Sequence, residues 1–303
     1  VGADAIEKVR VREWWVVSKK GEFKPGDLCI YFEIDSFLPL KPEYDFLLRG
    51  SSPKKLLIDG EEKLGIRLKT IKLRGQISQG LVLPLTDNLP KEIGTDVTEL
   101  LGVYKYEQPI PAQLSGEVKG SFPSFLPKTD EERIQNCSEL LTIHKGEKFY
   151  VTSKLDGTSA TFYKYNGEFG CCSRNLDLKE GSTVYWRKAI EHNLKESLPD
   201  FFCIQGEIVG EGIQKNPLKL SGLHLFIFNV YDIKRSRYLD YKEFIEFVNS
   251  IGLKTVPILN DNFELSHSVE ELLLLASAKS PLNDVLQEGI VVRPLEEKQA
   301  SIG

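Results

Sequence analysis

Residues 149–175 read FYVTSKLDGTSATFYKYNGEFGCCSRN, and this stretch decides how the second part of the chain folds. Phe149 to Asp156 alternates. Phe149, Val151, Ser153 and Leu155 point one way, and Tyr150, Thr152, Lys154 and Asp156 the other, as in a β-strand. With Leu155 anchored in a core, Lys154 and Asp156 share the open face, and Gly157 permits a sharp turn and the close approach of a ligand. A second strand runs from Ser159 to Tyr165 and ends at Asn166-Gly167, the strongest short-range hairpin signal. A two-residue loop there pairs Tyr165 with Glu168, and counting back in twos sets Arg174 opposite Ser159. Mixed charges on a surface strand are the plain alternative. A lysine, an aspartate and an arginine converging at a glycine turn favour a phosphate site.

Three later stretches add to this pattern. FFCIQGEIVG, 201–210, is a strand bearing Glu207 after Gly206. HLFIFNVYDI, 224–233, is a strand with Phe226 and Phe228 on one face, and EGIVVR, 288–293, opens with Glu288 and closes with Arg293. Taken singly, each is more often an edge carboxylate, a core aromatic stripe or a hairpin terminus. The clearest helices fall near 183–195, 241–250 and 268–278. Thr129-Asp130-Glu131-Glu132 has a capping-box pattern and predicts a helix through Arg133 towards Leu141.

Upstream, short β-rich runs occupy 9–40 and 64–86, separated by turns such as Lys24-Pro25-Gly26-Asp27. Alternation from Gly65 to Arg74 slips phase near Thr70-Ile71, which predicts a bulge or bend. Short bent strands of this kind suit a small OB-like barrel. Pro109, Pro111, Pro123 and Pro127 punctuate 104–128, which reads as an extended linker. The expected organisation is a barrel over 1–103, the linker over 104–128 and a second domain over 129–303.

Hydrophobic residues make up 41% of the 303 and charged residues 27%, enough apolar content to bury a core. No apolar run is long enough to cross a membrane, and none opens the chain as a signal peptide would. The five cysteines are odd in number and form no C-x-x-C pair, which argues against a disulfide framework or a zinc site and for reduced thiols in an intracellular protein. The four histidines show no metal-binding spacing and are read as structural. Methionine is absent even at the start, so a trimmed or altered piece of a longer chain is expected. A net charge of −5 argues against indiscriminate nucleic-acid binding. Lys63, Arg67, Lys69, Lys72 and Arg74 nevertheless follow one another with no acid until Asp87. A solvated strand face is the ordinary reading of such a run, and if the chain binds a polyanion, Arg67, Lys69, Lys72 and Arg74 are the first place to look.

The ordered set SKLDGTS, SRN at 173–175, QGEIVG, FIFNVYD and EGIVVR resembles the covalent nucleotidyltransferase superfamily of ATP-dependent polynucleotide ligases and mRNA capping enzymes. K-x-D-G alone is weak, but five motifs in order are specific. Outside that core, KKGEFKPGDLCIYFEIDSFLP at 19–39, LRGQISQGLVLPL at 73–85 and PSFLPKTDEERIQN at 123–136 are similar to the nick-sealing RNA ligases of the Deinococcus and Naegleria type. The resemblance spans nearly the whole chain. It implies an α+β protein, with an N-terminal OB-like β-barrel followed by a nucleotidyltransferase (ATP-grasp-like ligase) domain of antiparallel sheets with flanking helices.

The resemblance also implies roles. Lys154 would attack the α-phosphate of ATP, and Arg174 would contact the adenylylated site or the nucleotide phosphates. Glu207 would bind the ribose, and Phe228 would stack on adenine, with Phe226 as the fallback. Leu155, Gly157 and Ser159 would line the nucleotide site. Asp156, Glu207 and Glu288 would help hold Mg²⁺ or Mn²⁺, partly through water. A free lysine is almost wholly protonated at neutral pH, so cations beside it, Arg174 and the metal, are expected to release the amine. The polymer partner would be nicked RNA or an RNA/DNA duplex, with RNA at the 3′-hydroxyl side, and the protein a monomer. The family carries a further lysine-bearing strand after EGIVVR. Lys298 is the only lysine beyond Glu288 and does not match it, and the first barrel strand reads as short or missing. A capping-type guanylyltransferase and a nucleic-acid-binding module with an inactive core are the alternatives.

Overall fold

The computed structural model describes residues 5–12, 14–58, 61–73, 76–106, 116–129 and 131–298. The chain divides into two compact units, Val1–Pro111 and Ala112–Gly303.

In the first unit, strands β1 (Ile6–Val11), β2 (Trp14–Lys19), β3 (Cys29–Phe32), β4 (Ser36–Pro39), β5 (Lys54–Ile58), β6 (Glu61–Arg67), β7 (Ile71–Leu73), β8 (Gln76–Ser78), β9 (Leu81–Pro84) and β10 (Tyr104–Lys105) form short antiparallel pairings. They enclose Ile30, Phe32, Leu38, Tyr44, Ile66 and Leu68, and Trp14 and Val16 pack on Val82. A strand does open this unit, since β1 pairs with β2 from Ile6 to Val11. The turn at 24–27 forms as expected: the Asp27 amide donates to the Lys24 carbonyl at 3.0 Å, with Gly26 at φ 95°. The phase slip near Thr70-Ile71 is a break between β6 and β7, which belong to different sheets.

In the second unit, β11 (Val118–Ser121), β13 (Thr158–Tyr165), β14 (Glu168–Cys172), β15 (Leu176–Leu178), β16 (Phe202–Gly210), β17 (Leu223–Asp232) and β18 (Arg237–Tyr238) build a seven-stranded antiparallel sheet in the order β11-β15-β14-β13-β16-β17-β18. A second sheet has β12 (Lys148–Lys154) between β19 (Ile258–Glu264) and β20 (Gly289–Pro294). The segment read as a linker therefore contains two strands, β10 at its start, which pairs with β4, and β11 within it, which pairs with β15.

Helix α1 (Thr98–Leu101) lies in the first unit. The second has α2 (Leu140–Ile143), α3 (Val184–Glu191), α4 (Leu194–Ser197), α5 (Tyr241–Ser250) and α6 (Val269–Ala276). Trp186 and Ala189 of α3 and Phe244 and Val248 of α5 close the core over Phe162, Ile204, Ile208 and Ile227 on one face of the large sheet. The helix expected from residue 129 does not form. Turns occupy 134–136, and only 140–143 is helical. Asp130 lies outside the described residues, and the Thr129 hydroxyl meets that of Ser159 at 3.2 Å. All five cysteines are free thiols, four of them buried. Among the described residues, no helix is long and apolar enough to cross a membrane.

Candidate active site

β12 is a central strand, and this corrects the simple alternation. Phe149 to Ser153 are all buried, so neither face is open, and only the two end residues, Lys148 and Lys154, emerge. Two buried contacts hold that end. The Ser153 amide donates to the Pro257 carbonyl at 2.9 Å, and its hydroxyl donates to Gln287 Oε1 at 2.9 Å. Leu155 sits in an apolar cluster with Val209, Leu218, Phe226 and Val256, as its place in the pattern predicts. Across the ladder Lys154 faces Gly289. The neighbouring Glu288 accepts a hydrogen bond from Lys154 Nζ, and the two side chains are 37% and 47% exposed respectively. The lysine thus pairs with Glu288 rather than Asp156.

Gly157 is needed for a reason different from the one expected. Its φ is not left-handed. A Cβ there would lie 2.3 Å from the Ile208 carbonyl oxygen and 2.6 Å from Val209 Cγ1, so a bare backbone lets the turn press on β16. From that position Gly157 donates a backbone hydrogen bond to Glu207.

Glu207 lies on β16 between its cross-strand neighbours Ser159 and Phe226. Burial pushes its carboxyl up to about 8, and the charges of Glu288 and Asp156 add to the rise, while Lys154 and the Gly157 amide oppose it. Lys154, Asp156, Glu207 and Glu288 therefore share one electrostatic neighbourhood. Phe226 and Phe228 both belong to the Leu155 cluster, with Phe226 buried and Phe228 half-buried. β16 and β17 shift register here: Gln205 faces Asn229 and Gly206 faces Ile227, leaving Phe228 as the extra residue of a bulge. Bulges re-aim side chains beside functional sites.

The hairpin register is as read, with Tyr165 opposite Glu168 and both Asn166 and Gly167 at positive φ. The extrapolation to Arg174 does not hold. The ladder ends at Thr161 and Cys172, the Ser173 amide turns to the Leu176 carbonyl at 2.9 Å, and Arg174 stands exposed in the bend, while Ser159 faces Glu207. In the first unit the basic run is divided. Arg67 donates to Asp35 at 2.7 Å and lies 4.5 Å from the Tyr106 ring, whereas Lys69 is exposed. The Lys72 side chain and Arg74 lie outside the described residues.

Sequence reasoning missed the polar link behind the site. Arg293 on β20 donates to Asn229 Oδ1 and ion-pairs with Glu131 at 3.0 Å. Asn229 donates to Gln205 Oε1 at 3.2 Å, and Gln205 donates to the Pro127 carbonyl at 2.7 Å. Burial works against the Arg293 charge, yet Glu131, Tyr150 and Glu297 raise its pKa above the ordinary value. This link ties the strand that follows Glu288 to the sheet bearing Glu207 and Phe228.

Among the described residues, no group of three His, Cys, Asp or Glu side chains is placed to hold a metal directly. The donors at the site are carboxylates, which suit a hard divalent cation that keeps several of its waters.

An OB-fold domain family matches residues 1–85, and the RNA ligase family matches residues 147–302. No curated protein sequence matches the chain. Among solved structures, the chain is similar to a Naegleria gruberi RNA ligase mutant with ATP and Mn, at 41% identity and a TM-score of 0.83, covering 98% of this chain and 89% of that one. It is similar to the same ligase with PPi, at 42% identity and a TM-score of 0.82, covering 97% and 89%. A further mutant with AMP and Mn gives 42% identity and a TM-score of 0.83, covering 97% and 90%. With that identity over nearly its whole length, and the RNA ligase family matched across Lys154, Glu207 and Glu288, the chain belongs to the RNA ligase family.

Proposed function

We propose that this RNA ligase uses ATP and Lys154 to seal a nick between a 3′-hydroxyl and a 5′-phosphate. The observation that carries the reading is Lys154 at the mouth of β12, held against Glu288 with Asp156 and Glu207 beside it. Lys154 Nζ attacks the α-phosphorus of ATP. An N–P bond forms, the bond to pyrophosphate breaks, and the ammonium gives up two of its protons to solvent and keeps the third on the phosphoramidate nitrogen. An oxygen of the RNA 5′-phosphate then takes the AMP and frees the lysine. Finally the 3′-hydroxyl attacks the activated 5′-phosphorus, and AMP leaves. Ligands of these three kinds, ATP, AMP and PPi, occur with the Naegleria gruberi ligase.

The Lys154–Glu288 ion pair has to open before the amine can attack. Glu207 receives the ribose. Phe228, half-buried at its bulge, is better placed than buried Phe226 to present a ring to adenine. Leu155, Gly157 and Ser159 form the floor, and Arg174 reaches the phosphates. Asp156, Glu207 and Glu288 would hold Mg²⁺ or Mn²⁺ through its waters, and the cation supplies charge neutralisation at the transferring phosphoryl group. RNA at the 3′-hydroxyl side is selected through its 2′-hydroxyl. Arg67, Lys69, Lys72 and Arg74 serve the RNA backbone, a role that neutral replacements test through the salt dependence of binding.

The test is labelling with α-phosphate-labelled ATP and a divalent cation after pretreatment with pyrophosphate, followed by a denaturing gel. Label from ATP that disappears in Lys154→Ala is the expected result. Label that survives in Lys154→Ala overturns the nucleophile, and label from GTP alone restores the guanylyltransferase reading. A folded chain that takes neither nucleotide returns the inactive-module reading.

A further inference from the structure

Residues 211–222, EGIQKNPLKLSG, join β16 to β17, and the reaction at Lys154 uses none of them. The loop is closed at its neck, where the Glu211 amide donates to the Gly222 carbonyl at 2.9 Å. It is also pinned from within and from outside. Asn216 holds Leu220 twice, donating from Nδ2 to its carbonyl at 2.8 Å and accepting at Oδ1 from its amide at 3.0 Å. Asn283 Nδ2 donates to the carbonyls of Leu218 and Lys219, at 3.1 and 3.2 Å. Leu218, only 2% exposed, and Leu220 enter the apolar cluster that contains Leu155 and Phe228. A compact loop, of a kind that is frequently functional, is thus fixed beside the residue that follows Lys154.

Its backbone is strained. Gln214, Lys215, Asn216 and Lys219 have φ values of 45°, 63°, 52° and 52°, so four non-glycine residues within six positions are left-handed. Asparagine tolerates that conformation. A lysine is disfavoured there by its own Cβ, and glycine would make the same turn at less cost. Burial does not explain the two lysines, because both are exposed, and among the described residues neither has an ion-pair partner. The loop's one acid, Glu211, stands at the neck, and Asp284, next to Asn283, is engaged by Lys279 at 2.6 Å. Strained positions of this kind cluster at ligand clamps. We propose that Lys215 and Lys219 hold backbone phosphates of the RNA at the nick. An ammonium on a flexible stem follows a phosphate without demanding a fixed angle, and a loop already pinned loses little freedom on binding. Contacts of this type set the register of the RNA and not its sequence. The proposal rests on the ligase reading and gives the RNA a hold within the second unit.

The experiment titrates the full chain, without ATP, with an RNA duplex bearing a 5′-phosphate at a nick, over a series of salt concentrations, and reads binding by gel shift. Lys215→Gly/Lys219→Gly relaxes the backbone and removes both charges. Its melting temperature should stay close to that of the parent, because relief of the left-handed strain offsets the freedom that glycine adds to the unfolded chain. Nick binding should weaken about tenfold, and the log–log salt slope should fall by about 2, one for each lysine. Lys215→Gln/Lys219→Gln should show the same losses without the change to glycine, which covers the case in which the glycine chain fails to fold. Lys215→Arg/Lys219→Arg should keep most of the affinity. Unchanged affinity and salt slope in the glutamine chain overturn the proposal, as does a parent chain that does not bind the nick. A glutamine chain that binds the nick as the parent does but takes label from ATP poorly also overturns it, and moves the lysines to the ATP phosphates. Binding is read without ATP, so the two readings fail separately. A chain that labels at Lys154 and binds the nick equally well without the two lysines loses this proposal and keeps the ligase reading. A chain that fails to label but needs the lysines to bind does the reverse.

Discussion

Two charged regions lie at opposite ends of β20 and are built in opposite ways. At one end, Lys154 and Glu288 pair in the open, each more than a third exposed. At the other, Arg293 is largely buried and engaged by Glu131, Asn229 and Glu297. A charge that must exchange partners during a reaction has to remain reachable. A charge that only fixes a strand can be enclosed and satisfied, and then its removal strands its partners. Substitution at the first end should therefore remove activity while sparing the fold, and at the second the reverse order of damage should hold.

The largest effect is expected at the open end. Lys154→Ala should lower AMP transfer by more than about a thousandfold, because in the proposed reaction Lys154 supplies the bond to phosphorus. Its melting temperature should stay close to that of the parent, since the side chain reaches solvent. A loss of activity accompanied by unfolding would break the contrast.

Arg293→Ala comes next. Breaking a buried ion pair costs about 3–5 kcal/mol when one partner is left behind, and here Glu131, Glu297 and Asn229 all lose Arg293 at once. Urea unfolding should show a drop of that size. AMP transfer should fall less than in Lys154→Ala, because Glu288 loses an anchor but keeps its carboxylate.

Glu207 supplies a third test, through pH. Its folded pKa is raised, so between the ordinary carboxylate range and about 8 the folded chain holds a proton that the unfolded chain has released. Stability from this group is fully present below the unfolded value and declines as pH rises towards 8. The slope is about 1.4 kcal/mol per pH unit, or roughly 2–3 kcal/mol between pH 6 and pH 8. Glu207→Gln should flatten that part of the stability profile. An unaltered slope would show that the carboxyl is not protonated in the folded chain.

The parts of this site that were legible in sequence are those set by local rules. The Asn166-Gly167 turn fixes the β13–β14 register by itself, and Leu155 announces its own burial. All the failures but one share a cause, which is that distant segments decide; Arg174 is lost to a local turn. Lys154 and Asp156 do not share an open strand face because β19 and β20, more than a hundred residues later, flank β12. Arg174 leaves the ladder because Ser173 turns to start β15. Thr129 has a capping pattern but meets Ser159 across the chain. Gly157 is required by the backbone of β16, which no inspection of the turn itself reveals. The Arg293 link starts from a pair 64 residues apart, Arg293 and Asn229, and only the Arg at the end of EGIVVR hints at it.

The smallest effect concerns the near end of β20. Ser153 and Gln287 are both buried, and the Ser153 hydroxyl satisfies the Gln287 carbonyl oxygen. Ser153→Ala removes the donor and leaves that oxygen unsatisfied, at a cost of about 1–2 kcal/mol. Gln287 keeps its amide bonds to the Leu275 and Ala278 carbonyls, so its backbone should hold, and AMP transfer should fall only a few-fold. Ser153 faces Ile290 and Tyr150 faces Arg293, a separation of three strand residues, or roughly 10 Å. At that distance two independent anchors should add within about 0.5 kcal/mol. Combining Ser153→Ala with Arg293→Ala therefore asks whether β20 is pinned twice or behaves as one rigid unit. Additive losses of stability mean two separate anchors. A double variant no worse than Arg293→Ala alone means that the far anchor already governs the near one, and with it the placement of Glu288 against Lys154.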